Sequence, residues 1–97
     1  MPTRNQITIL IVDDAVENLA VLNALLSPQY QVRVATSGVK ALSIAAALPH
    51  PDLILLDVMM PGLDGYQVFQ RLRADPATHG IPVIFVTAMD SSEAELR

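Results

Sequence analysis

The 97-residue chain contains no cysteine. A disulfide framework and a thiolate metal site are both excluded, which is compatible with the reducing cytoplasm where the chain is expected to work. Charge is also sparse: only 16% of residues are Asp, Glu, Lys or Arg, and Lys40 is the only lysine. The formal net charge of −4 leaves no basic stripe, so direct binding of nucleic acid is not expected. No apolar run approaches the length needed to cross a bilayer. The opening MPTRNQ lacks the basic-then-apolar order of a signal peptide, and no membrane partner is expected.

What the chain does have is apolar residues, at 52%. This exceeds the share in an average soluble domain and suggests a sheet buried on both faces, or a surface covered by a partner. The length allows one domain. Three short continuous runs, 9–12 (ILIV), 53–56 (LILL) and 83–86 (VIFV), read as interior strands of a parallel sheet. A fourth, 31–35 (QVRVA), alternates polar and apolar, as an edge strand does.

Helical patterns separate the strands. Residues 15–26 carry Leu19, Leu22 and Leu26 on one stripe, with Asp14 at the N-cap position and Glu17 three residues on. Residues 38–48 are alanine-rich behind Ser37. Residues 65–74 place Val68, Phe69 and Leu72 inward behind a cap at Asp64, and a last helix is expected to begin at Ser91 or Ser92. Breakers fall between these segments, at Pro28, Pro49-His50-Pro51, Asp75-Pro76, and Gly80 with Pro82. Strand and helix therefore alternate along the chain, which predicts an α/β fold with right-handed crossovers.

Two interior strands end in acid, at Asp13-Asp14 and at Asp57, and a third ends in a hydroxyl, Thr87. Ligands of open parallel sheets bind beyond the carboxyl ends of the strands, where the strand order reverses. If the first and third strands are neighbours, three carboxylates converge, and they stay ionised only beside a cation. An all-oxygen set points to Mg²⁺. Singly, each residue has a plainer explanation. Asp14 would cap a helix, Asp13 and Asp57 would end strands, and Thr87 would be an ordinary strand residue. Met59 and Met60 would fill core, His50 and His79 would sit in solvated turns, and Tyr66 would be half-buried packing. The matching positions of the acids and the threonine on three strands are what such explanations leave out.

The segments ILIVDDAVEN, VATSGVKAL, PDLILLDVMMPGLDGYQVFQRLR and IPVIFVTA span residues 9 to 88. They resemble the receiver domain of bacterial two-component response regulators. The resemblance implies a flavodoxin-like (CheY-like) three-layer fold, strand order 2-1-3-4, with residues 1–97 a single receiver domain missing its fifth strand and helix. It implies that Asp57 accepts a phosphoryl group from a sensor histidine kinase or phosphotransfer protein. Mg²⁺ would be held by Asp14 directly, by Asp13 through water, by Asp57 and by the backbone carbonyl of Met59. Thr87 would bind a phosphoryl oxygen, and Pro61-Gly62 would shape the loop behind the site. The family also carries a lysine and an aromatic residue on its fifth strand. Neither is present here, so weakened phosphorylation and lost output are expected of this form, with self-association through strand four or the uncovered sheet face.

Other classes fit less well. A haloacid-dehalogenase-type phosphatase would carry Asp-x-Asp after the first strand. A cobalamin-binding domain would require histidine at position 59, where Met59 stands. A receiver-like interaction scaffold that is never phosphorylated is the alternative that stays open.

Overall fold

The computed structural model describes residues 6–86. Its elements run β1 (Thr8–Val12), α1 (Val16–Leu26), β2 (Gln31–Ala35), α2 (Gly38–Ala46), β3 (Leu53–Asp57), α3 (Gly65–Ala74) and β4 (Val83–Val86). The four strands form one sheet in the order β2-β1-β3-β4, and every pairing is parallel. The strand order and the alternation agree with the expectation. Thr87 and the helix expected at Ser91 or Ser92 lie outside the described residues.

β1 is buried along its whole length, and β3 is buried or half-buried throughout, as continuous aliphatic runs require when a parallel sheet has helices on its faces. Alternate residues of these strands feed two apolar layers. Leu10, Val12, Ile54 and Leu56 pack with Ala41 and Ala45 of α2 and Val68 and Leu72 of α3. Ile9 and Ile11 face the other way onto Leu19 of α1, with Leu22, Leu26, Leu53 and Leu55 at the margin. Among the described residues β4 pairs only with β3, and Ile84 and Phe85 are 51% and 38% exposed. The pattern of 83–86 is that of an interior strand, yet among the described residues it stands at the edge of the sheet, as the four-strand order 2-1-3-4 implies.

Caps divide the helices. Ser37 Oγ accepts from the Lys40 backbone at 3.2 Å. Asp64 and Gln67 form a reciprocal capping box, each side chain accepting from the other's backbone N–H, at 2.9 and 3.0 Å. The expected Asp14 cap is not formed. The N-cap is Ala15, which offers no side chain, and the neighbouring Asp13 carboxylate takes the Ala15 N–H instead. Asp14 is thereby left exposed at the strand tip.

Three further expectations are corrected. α2 stops at Ala46, two residues early, because the chain turns toward Pro49. His50 is half-buried, its Nδ1 2.8 Å from the Ala45 carbonyl at the end of α2, so it closes a helix terminus where a solvated turn residue was expected. Tyr66 is 58% exposed, and its ring lies 5.3 Å from that of Phe85 on the open strand.

Candidate functional site at the strand tips

β1 and β3 are adjacent, with Val12 in register with Leu56, so the residues that follow each strand emerge side by side. This brings Asp13, Asp14 and Asp57 together: one carboxylate oxygen from each lies within 4.8 Å of the others. Asp13 and Asp57 are 5% and 4% exposed, and Asp14 faces solvent. Two buried acids and one exposed acid make a pocket of negative charge with an open side.

The surroundings hold two of these side chains firmly. Asp13 accepts from Ala15 N–H at 2.8 Å and from the Asn18 side-chain amide at 3.1 Å. Asp57 Oδ1 accepts from the backbone N–H of Met59 at 3.3 Å. The loop after β3 is tied back by Gly65 N–H donating to the Val58 carbonyl at 3.0 Å. Gly62, at φ +73°, makes the turn within that loop, and this backbone region favours glycine. The Met60 side chain is buried, whereas that of Met59 is 75% exposed, so the two methionines expected as core filler part company.

Burial drives the Asp57 carboxyl above its ordinary value, the neighbouring Asp13 and Asp14 charges raise it further, and the Met59 and Val58 amides pull the other way. Among the described residues no cationic side chain enters that balance. A group of oxygen donors that close, with desolvated and mutually repelling charge, fits a hard divalent cation. Mg²⁺ suits it better than a softer metal, since among the described residues no nitrogen or sulfur ligand belongs to the cluster.

The sequence pattern identified the three acids, and the fold brings them together. Asn18 was missed, although an amide five residues after a strand-terminal acid, on the first turn of a helix, is within reach of it. Thr78 was missed too. It is 2% exposed and donates to the Leu72 carbonyl at 2.8 Å, closing the end of α3 far from the acids in a stretch that reads as an ordinary turn.

Comparison with known proteins agrees with the geometry. The response regulator receiver domain pattern matches residues 9–97. A probable cyclic di-GMP phosphodiesterase of Vibrio cholerae serotype O1 is 43% identical over 95 residues, which are 98% of this chain and 21% of that protein. The response regulator PleD of Caulobacter vibrioides is 49% identical over 83 residues, 84% of this chain and 18% of that protein. The chain thus spans about a fifth of the length of these relatives. Among solved structures, the N-terminal domain of a response regulator receiver protein from Methanoculleus marisnigri JR1 superposes with a TM-score of 0.79. It is 40% identical, with 92% of this chain and 74% of that one covered. Parallel sheet, strand order, acidic tips and sequence likeness converge, and the chain belongs to the response regulator receiver domain family of two-component signalling.

Proposed function

We propose that Asp57 is the phosphoacceptor, taking a phosphoryl group from the phosphohistidine of a sensor kinase or phosphotransfer protein. A carboxylate oxygen of Asp57 forms the new O–P bond while the P–N bond breaks, and the electron pair leaves with the imidazole. The single observation that carries this reading is the meeting of three carboxylates at the tips of two adjacent strands. The roles of the individual residues belong to the same proposal. Asp13, Asp14, Asp57 and the Met59 carbonyl would hold Mg²⁺, which when bound supplies positive charge to phosphoryl oxygens. The Met59 and Val58 amides orient the Asp57 carboxylate for attack. Thr87 follows Val86, which is in register with Asp57, and this placement in the chain supports a role for its hydroxyl beside the phosphoryl group.

Three finer readings accompany it. Lys40 is the only lysine of the 97 residues and takes no part in setting the Asp57 charge, so phosphoryl transfer to these residues as they stand is proposed to be slow. Pairing of two copies along β4 or the adjoining sheet face is supported by the exposure of Ile84 and Phe85. The name of the Vibrio relative is the support for placing cyclic-dinucleotide turnover downstream.

The test is addition of beryllofluoride or a small phosphodonor with Mg²⁺, followed by NMR of the amides around Asp57. A Mg²⁺-dependent shift that Asp57→Asn abolishes is expected. No shift in the unaltered chain would favour the unphosphorylated interaction scaffold.

A further inference from the structure

Asp13 is the one acid of the cluster with a side-chain hydrogen-bond partner among the described residues, and that partner is Asn18. The amide of Asn18 donates to Asp13 Oδ2 at 3.1 Å, while the backbone N–H of Ala15 donates to Oδ1 at 2.8 Å. An ionised carboxylate only accepts, so the group of Asn18 facing it must be the NH₂ end. One donor alone would fix one oxygen and leave the carboxylate plane free to turn. Two donors on opposite oxygens fix the plane. They also engage about two of its four acceptor sites and leave the others free.

Asn18 is itself held in place. It lies on the first turn of α1, its backbone N–H donates to the Ala15 carbonyl at 3.1 Å, and its side chain is half-buried. With Asp13, Val21, Leu22 and Val86 it lines a cleft of about 240 Å³ beside the acids. A polar amide among aliphatic neighbours is costly to bury unless it is bonded, and the Asp13 carboxylate satisfies it.

We propose that Asn18 is a positioning residue for the divalent cation, acting through Asp13. It holds the Asp13 carboxylate in the orientation that brings one of its oxygens within 4.8 Å of those of Asp14 and Asp57. This rests on reading the three acids as a cation site. Outer partners of metal ligands that are removed in this way typically cost about 10–100-fold in metal affinity.

The experiment is a Mg²⁺ titration of the full chain, following the backbone amide resonances of Val58 and Met59, with thermal melts in EDTA alongside. Asn18→Ala removes the donor, and Asn18→Leu removes it while keeping nearly the same shape. Both variants are expected to bind Mg²⁺ about tenfold more weakly, with Asn18→Leu melting in EDTA close to the unaltered chain. Unchanged affinity in both variants would overturn the proposal. So would weak binding by Asn18→Ala alone, because the packing of the side chain and not its hydrogen bond would then be responsible. Absence of any Mg²⁺ response in the unaltered chain would overturn the cation-site reading itself, and the role of Asn18 with it.

Discussion

Gly65 closes on the backbone of Asp57 so tightly that a Cβ at position 65 would collide with the Asp57 carbonyl oxygen and lie 2.8 Å from the Val58 Cα. The first residue of α3 therefore sits against the residue that carries the proposed chemistry, and both obstacles are backbone, which cannot swing aside. Gly65→Ala is expected to destabilise the fold by about 1–3 kcal/mol, the usual range for overpacking. It should also weaken Mg²⁺ binding, because relief of the clash must move the end of β3. Urea denaturation and a Mg²⁺ titration measure the two effects.

In metal-free buffer the ionised Asp57 opposes folding, since burial and two neighbouring acids raise its pKa above the ordinary value of 3.8. A carboxyl whose folded pKa is raised contributes stability that is fully present below its unfolded pKa and lost as pH rises through the folded one. Asp57→Asn, which cannot ionise, should therefore melt higher than the unaltered chain at neutral pH. The gap should narrow as pH falls toward the ordinary carboxylate range. Each kcal/mol is worth about 4–8 °C in Tm for a chain of this size. Added Mg²⁺ should stabilise the unaltered chain more than the variant. Melts across pH 4 to 8, with EDTA or with Mg²⁺, supply the check.

Thr78→Val removes a hydroxyl that donates to the Leu72 carbonyl at 2.8 Å in a fully enclosed setting. The carbonyl at the end of α3 would lose a buried partner, at a cost of about 1–3 kcal/mol. The acids lie at the opposite ends of the strands, so Mg²⁺ affinity should hold while the denaturation midpoint falls. A matching loss of affinity would contradict this separation.

Ile84→Lys places a charge on the open edge strand, where the native side chain is 51% exposed. If two copies pair along β4, sedimentation velocity of the unaltered chain should show a concentration-dependent dimer that the variant lacks. Identical monomers at high concentration would remove the case for pairing. The exposure itself is a property of the single chain.

β1 and β3 were legible because buried parallel strands read as unbroken aliphatic runs, β4 because its four residues are all apolar although none is fully buried, and α3 because its stripe and its Asp64 cap agree. The start of α1 was not. Asp14 has the chemistry of an N-cap, but Asp13 is bonded to the Ala15 and Asn18 amides instead, and only the path of the chain decides between adjacent acids. Tyr66 and His50 were misjudged for the same reason. A turn or helix-start residue carries no local mark of whether another element will arrive to cover it.

The order of residues along the chain by itself determined that acids end the first and third strands and that these strands alternate with helices. It could do so because hydrophobic periodicity and breakers are local properties. Only the tertiary structure decided that the two strands lie side by side, that Asn18 reaches Asp13, and that Gly65 has no room beside Asp57. Those relations join residues from separate elements, and they come from how the helices pack on the sheet.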